Sequence, residues 1–271
     1  MSLRINMNVA ALNAHRNLQI TDNALALSVE RLSSGYRINR AADDPAGLAI
    51  SENLRAQISG LGQAIANSTD AVNLIRTAEG ALAEVHNILR TMRNLALHAA
   101  STGTNDDTAL EADQTQIEAL IAALNRISTN TQFGTLVLLD GTATGLVFQI
   151  GANANQTKSL DIDSVAATAL GIATIDVTTN AQAAITALDT AISNVSTQRA
   201  ELGAAQIDLE SNINSLGIAK ENIAASESTI RDADMAAEMV RFTRNQILLQ
   251  AGTAMLTQAN AAPQALLALL K

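Results

Sequence analysis

The chain has no cysteine and no tryptophan in 271 residues, only two prolines, and four aromatic side chains: Tyr36, Phe133, Phe148 and Phe242. Without cysteine there are no disulfides, no thiolate chemistry and no cysteine-containing metal site. Aromatics bury the most area per side chain, so their scarcity argues against the compact core of an ordinary enzyme. No stretch approaches the roughly 18 consecutive apolar residues of a membrane span. Near the N-terminus the longest apolar run, Val9 to Leu12, is shorter than the roughly 7–15-residue apolar region of a signal peptide. Any export is therefore expected to use a route without a cleaved signal.

What the chain does have is aliphatic. Hydrophobic residues make up 48% of it, and 52 residues are alanine. Small side chains bury little area singly, which favours long helices with narrow seams over one thick core. The net charge of −9 is unevenly spread. Residues 1–100 carry nine basic and eight acidic side chains, and 231–271 carry four and three; between them, 101–230 carries four and fifteen. The shortage of clustered Lys and Arg argues against nucleic acid as a partner. Near-neutral ends around an acidic middle predict termini that pack together and a middle that faces water.

From Leu54 the apolar residues recur at steps of four and three: Leu54, Ile58, Leu61, Ile65, Val72, Ile75. After a shift of phase come Leu82, Val85, Leu89 and Met92. This is the 3.5-residue seam of a coiled coil, and 54–96 as a helix would span about 64 Å. Asp43-Asp44-Pro45 offers an N-cap followed by proline at the first helical position. Ser101 to Thr104 is a break. Thr108 and Glu111 read as a capping box for a second helix carrying Leu110, Ile117, Leu120, Ile121, Leu124 and Ile127. Phe133 to Leu139, Leu146 to Ile150 and the alternating Leu160 to Asp163 make 133–178 a small β-rich insert, with a turn at Asp140-Gly141. Thr179 and Gln182 read as another capping box. The seam that follows runs through Ile185, Leu188, Ile192, Val195, Arg199, Leu202, Gln206, Leu209, Ile213, Leu216, Lys220, Ile223, Glu227 and Ile230.

Both ends continue the theme. Leu18, Leu25 and Leu32 are spaced by heptads, with Val29 beside them; Met235, Met239, Phe242, Leu249 and Leu256 are expected to share a face until Pro263 stops the helix. Ends this apolar need a partner, either each other or another copy. The expected fold class is mainly α: long antiparallel coiled-coil helices, a small β-hairpin region between them, and termini paired as helices. The expected domains are 1–42 with 231–271, and 43–230.

Candidate chemistry is sparse. His15, His86 and His98 sit in helical stretches without an obvious ligand partner and read as surface or seam residues. The cluster Asp106, Asp107, Glu111, Asp113 lacks the pattern of a calcium loop and suits a helix start. Asp161 and Asp163 on a strand, and Asp232 and Asp234 on a helix, read as solvated surface. Gly60 and Gly62 form no phosphate loop. The Asn67, Asn155 and Asn194 triplets match a glycosylation pattern at a frequency expected by chance. No catalytic residue, metal or cofactor is expected.

Several blocks carry a resemblance. They are Ile5 to Ala14, Glu30 to Asn39, Ala41 to Ile50, Gln132-Phe133-Gly134, Ala225 to Ala236, and Gln246 to Leu256. In this order, over nearly the whole chain, they resemble bacterial flagellin; hook–filament junction proteins are the nearest relatives to confuse with it. The resemblance implies a self-polymerising filament subunit for motility, extracellular and exported unfolded through the type III channel of the flagellum. It implies partners: other copies, the flagellar cap, junction proteins, an export chaperone and the export apparatus. It also implies terminal helices lining the filament core, outer helices with a β-hairpin, and no large variable outer domain. On that reading Leu18, Leu25, Leu32, Met239, Phe242, Leu249 and Leu256 form the assembly interface. The family's Toll-like receptor recognises an Arg–Leu–Glu surface. Here the Leu matches Leu95 and an accessory Arg matches Arg93, but the principal Arg falls on Thr91 and the Glu on Gln116. Arg90, Arg93, Leu95 and Gln116 are thus an outer assembly surface and a weakened receptor surface. The residues alone leave one alternative from another class, a cytoplasmic coiled-coil scaffold.

Overall fold

A computed structural model describes residues 7–269 except Thr102 and Thr104, with side chains described as far as Ala261. The elements are α1 (Val9–Ser34), α2 (Pro45–Ala99), α3 (Asp107–Asn130), β1 (Gln132–Phe133), β2 (Leu136–Val137), β3 (Leu146–Gln149), β4 (Thr157–Leu160), α4 (Val177–Arg231) and α5 (Met235–Leu269). Backbone proximity groups the described residues up to Ala56 with those from Asn222 onward, and Gln57–Glu221 with themselves. Both divisions fall inside helices, in α2 and in α4.

In the Gln57–Glu221 unit, α2 and α4 run antiparallel, with Arg76 on Glu210 at 3.0 Å, Glu79 on Arg199 at 3.4 Å and Arg93 on Asp189 at 2.5 Å. The seam of α2 differs from the expected one. Leu61, Ala64, Ser68, Ala71, Ile75, Ala78, Leu82, Val85, Leu89, Met92, Ala96 and Ala99 are buried and step by three and four without interruption, with Val72, Leu74 and Ile88 buried beside that line. There is no shift of phase. Six of these twelve positions hold alanine or serine rather than a large aliphatic residue, and the Ser68 hydroxyl is satisfied by the Ala64 carbonyl at 2.8 Å. The α4 seam is corrected likewise. Ala184, Leu188, Ala191, Val195, Gln198, Leu202 and Leu209 are buried, whereas Ile192 and Arg199 lie on its flank. Gln198 tolerates burial because its amide donates to the Asp163 carbonyl at 3.0 Å.

Helix starts also differ from the capping boxes. Asp106 caps α3, accepting from the Ala109 N–H at 2.8 Å. Asn180, whose φ of −151° breaks the helical path of α4, caps its long portion by accepting from the Ala183 N–H at 3.0 Å. The expected start of α2 is present: Asp44 accepts from the Gly47 N–H at 2.9 Å, ahead of Pro45. Gly47 is closely packed: a Cβ there would collide with the Asp44 carboxylate and lie 2.8 Å from Ile38 Cδ1, so those side chains would have to move.

The β-rich insert is two short antiparallel hairpins followed by irregular chain. Phe133–Leu139 is not one strand. Gly134, at φ 63°, turns it back so that Phe133 faces Leu136. Strand β4 pairs Leu160 with Leu146 and ends there. The alternation continues only as burial, with Ile162 inside and Asp161 outside. Leu138, Leu139, Ala143, Ile162, Val165, Ala167 and Ile172 are fully buried and join the core of the helices.

In the other unit, α1 and α5 pack antiparallel. Gly35, left-handed at φ 77°, ends α1, and a backbone bridge joins Tyr36 to Asp232. Asp232 and Asp234 are therefore not on a helix. They occupy the break before α5, which Asp234 caps by accepting from Ala236 N–H at 2.9 Å and Ala237 N–H at 3.1 Å. Pro263 does not stop α5, which continues to Leu269.

Candidate functional site

The seam between α1 and α5 is a heptad on both sides. On α1 the half-buried or buried positions include Ala11, Ala14, Leu18, Thr21, Leu25, Ser28 and Leu32. On α5 they are Glu238, Phe242, Asn245, Leu249, Gly252, Leu256 and Ala259. Six of the seven proposed assembly residues thus lie on the faces the two terminal helices turn to each other. Approach is close at Gly252, where a Cβ would lie 2.8 Å from Leu18 Cδ1.

Met235 and Met239 do not share that face. Both are about half exposed: Met239 stands one position past Glu238, and Met235, although in heptad phase with Phe242, is the first residue of α5 and lies beyond the buried part of the seam. Met239 instead borders a shallow apolar groove with Val240, Thr243, Arg244, Ile247 and Leu248. A second groove runs along the helix pair beside Ala10, Ala14, Leu18, Ala251, Gly252 and Met255. Leu12, Ile20, Val240, Ile247 and Met255 are 56, 61, 60, 60 and 65% exposed. The unit therefore buries one apolar stripe internally and presents more apolar surface outward.

Sequence reasoning missed the polar register of this seam. The Glu238 carboxylate, only 5% exposed, accepts from the Ser28 hydroxyl at 2.6 Å and from Arg241 Nη1 at 3.1 Å, with Arg31 Nη1 3.9 Å away. A buried carboxylate held by a hydroxyl and two guanidinium groups is satisfied in one alignment of the helices and exposed to a large penalty in any other. Counting back four from Phe242 would have found it.

A second cluster ties the breaks together. The Arg231 guanidinium donates to Glu52 at 2.7 Å and lies 5.0 Å from the Tyr36 ring centroid. The Arg37 N–H donates to the Arg231 carbonyl at 2.7 Å, and the Ala233 N–H to the Gly35 carbonyl at 2.9 Å. The hydrogen bond from Arg231 holds the Glu52 carboxyl below its ordinary pKa. The N–H groups of Arg40 and Asn39 do the same for Asp43. Lowered folded-state values mean that both contributions are complete at neutral pH and are lost as pH falls through the carboxylate range.

In the Gln57–Glu221 unit, Arg90, Thr91 and Gln116 are exposed and Leu95 is half-buried against the core. The Arg93 guanidinium is engaged by Asp189, which raises its pKa. His98, expected to lack an acidic partner, has Nδ1 2.7 Å from the largely buried Asp113 carboxylate. Fifteen residues and a turn separate the two, so spacing along one helix could not show the pair. Among the described residues no three His, Asp or Glu side chains are grouped as metal ligands, and no helix is long and apolar enough to cross a membrane.

Two family models match the chain: the bacterial flagellin N-terminal helical region over residues 5–144 and the C-terminal helical region over 185–270. A flagellin of Halalkalibacterium halodurans is 50% identical, covering 98% of this chain and 99% of that protein. A flagellin of Bacillus subtilis is 47% identical, covering 99% and 100%. A crystal structure of Bacillus cereus flagellin is 29% identical with a TM-score of 0.51, covering 56% of this chain and 88% of that one. Paired terminal helices, a coiled-coil unit with small hairpins, and matches along the whole length agree: the chain belongs to the bacterial flagellin family.

Proposed function

We propose that the chain works by polymerising, as the repeating structural subunit of an extracellular flagellar filament, with no catalytic step. The observation that carries this reading is the apolar surface left on α1 and α5 after they have paired. Such a surface on a small helical unit is unfavourable in water and is covered when copies stack. Each buried methylene contributes about 0.8 kcal/mol. A contact between different faces of successive copies, repeated without closing, generates a helical filament. The seven residues Leu18, Leu25, Leu32, Met239, Phe242, Leu249 and Leu256 then act in two ways. Six hold the terminal pair together, and Met239 belongs to the face that meets the next copy. Cell fractionation tests the location. Sheared extracellular fibres containing the chain support the proposal, and a purely cytosolic chain, as for a coiled-coil scaffold, defeats it.

Export through the type III apparatus of the flagellum, with a chaperone, belongs to the same proposal. A chain with no cysteine has no disulfide to obstruct unfolded passage. The flagellar cap and junction proteins would be its neighbours at the filament ends. For the Toll-like receptor, Thr91 and Gln116 replace two charges that would form charge-assisted hydrogen bonds. Half-maximal activation in a reporter-cell assay is expected at a concentration about tenfold or more above that of a flagellin with the full motif. Thr91→Arg with Gln116→Glu should close much of that gap. An equal dose response for the unmodified chain would refute the proposal.

A further inference from the structure

With no cysteine and no tryptophan in the chain, the methionine thioethers are the side chains that a peroxide attacks most readily. The six methionines are unevenly placed. Met92, the one in the Gln57–Glu221 unit, is fully buried in the α2 seam. Among the described residues the others are Met7, Met235, Met239 and Met255, which all belong to the unit of the terminal helices and are all exposed. Two of them border apolar grooves. Met239 stands with Val240, Ile247 and Leu248 in the groove on α5, and Met255 stands beside Leu18 and Gly252 in the groove between α1 and α5. A flexible, polarisable thioether fills irregular apolar surface well. Both side chains nevertheless lie off the seam that pairs the two helices, so their sulfurs are open to an oxidant while the subunit stays folded.

We propose that Met239 and Met255 are oxidation sites through which a peroxide decides whether a free subunit can join the polymer, an inference that rests on the proposal that copies stack through these faces. The thioether sulfur attacks one oxygen of hydrogen peroxide. An S–O bond forms as the O–O bond breaks, and sulfur gives up two electrons. The departing hydroxide takes the proton left on the transferred oxygen and leaves as water. The sulfoxide is polar, so covering it with the apolar side chains of another copy leaves its oxygen without a hydrogen bond. In the single chain both groups face water, and the fold is unaffected. Stacking reverses the exposure: copies already in the polymer hold the same sulfurs away from the oxidant. Peroxide thus acts on subunits before they add and spares those already placed, and reduction of the sulfoxides restores the ability to add.

The test uses the full-length chain, as wild type and as a Met239→Leu, Met255→Leu double variant, each polymerised with salt and compared with itself untreated. Leucine keeps the bulk and the apolar character without the sulfur. Hydrogen peroxide is applied to the dissociated protein or to the finished polymer. Peptide mass spectrometry reads oxidation at each methionine, and sedimentation reads the critical concentration. In the dissociated wild type Met239 and Met255 should oxidise at least about tenfold faster than Met92, and in the polymer at least about fivefold more slowly than in the dissociated chain. The critical concentration of the oxidised wild type should rise about tenfold or more, and methionine sulfoxide reductases for both epimers should return it to the untreated value. In the double variant the rise should stay under about twofold, although Met7 and Met235 still react. Equal inhibition of both proteins overturns the assignment to these two residues. Undiminished assembly of wild type oxidised at both, or equal oxidation in polymer and dissociated chain, overturns the inference while leaving the filament proposal standing. Should the double variant fail to polymerise untreated, each single variant must show a smaller rise than the wild type, and an undiminished rise in both is again contrary. Untreated wild type that never polymerises removes the filament proposal and this inference together.

Discussion

Leu249→Asp yields a chain that forms no filaments yet keeps the Gln57–Glu221 unit folded. Leu249 lies on the seam face of α5, between Phe242 and Leu256 at heptad spacing, and is half-buried. The substitution removes an apolar side chain from the seam and places a carboxylate there. The combined cost is about 2–4 kcal/mol per subunit. Because elongation needs the paired ends in every copy, that cost appears as a critical concentration raised about 30-fold or more. Leu32→Asp, on the opposing face of α1, should act in the same way. Sedimentation measures the polymer, and circular dichroism shows whether the helical signal of the coiled-coil unit survives. Normal polymerisation by either variant would contradict the role given to the seam.

Leu89→Ala produces the complementary phenotype. Leu89 is fully buried in the α2 seam between Val85 and Met92. Truncation leaves a cavity in a close-packed core and costs about 2–5 kcal/mol. The thermal transition of the full chain should fall by roughly 5–15 °C. The local effect of the two substitutions differs: Leu89→Ala weakens the subunit core itself, whereas Leu249→Asp acts on the paired ends. A shift of under 2 °C would mean that the core closes around the missing side chain.

Much of this architecture is legible in residue spacing, and the failures have identifiable causes. The long helices, the break after Ala99 and the Asp44-Pro45 start follow from periodicity and capping. The seams were misread wherever alanine fills a core position. Ala64, Ala71, Ala78 and Ala191 are buried as completely as their aliphatic neighbours, but a search for large apolar residues steps past Ala64 and Ala191 to the half-buried Ile65 and Ile192, and finds the buried Val72 without Ala71 beside it. In a chain with 52 alanines the seam is marked as much by small residues as by large ones. Helix starts were displaced because capping-box residues also occur inside first turns, while Asp106 and Asn180 hold the cap geometry. Pro263 reads as a stop because its missing N–H is a local property, whereas the Asn8 amide that donates to the Ala259 carbonyl is 251 residues from Ala259 in the chain. Glu238 leaves no signal in the spacing, since two of its three partners, Ser28 and Arg31, come from α1. Long-range polar pairs leave no periodic trace.

The most direct test of assembly through the outward face of the terminal helices is negative-stain electron microscopy of the purified protein after salt-induced polymerisation, with Ile247→Asp beside the wild type. Ile247 is 60% exposed and borders the apolar groove on α5, so a carboxylate there should leave the single chain's fold intact. The account predicts long helical filaments from the wild type and none from Ile247→Asp at the same concentration. Wild-type protein that stays monomeric, or Ile247→Asp filaments as abundant as those of the wild type, would contradict it.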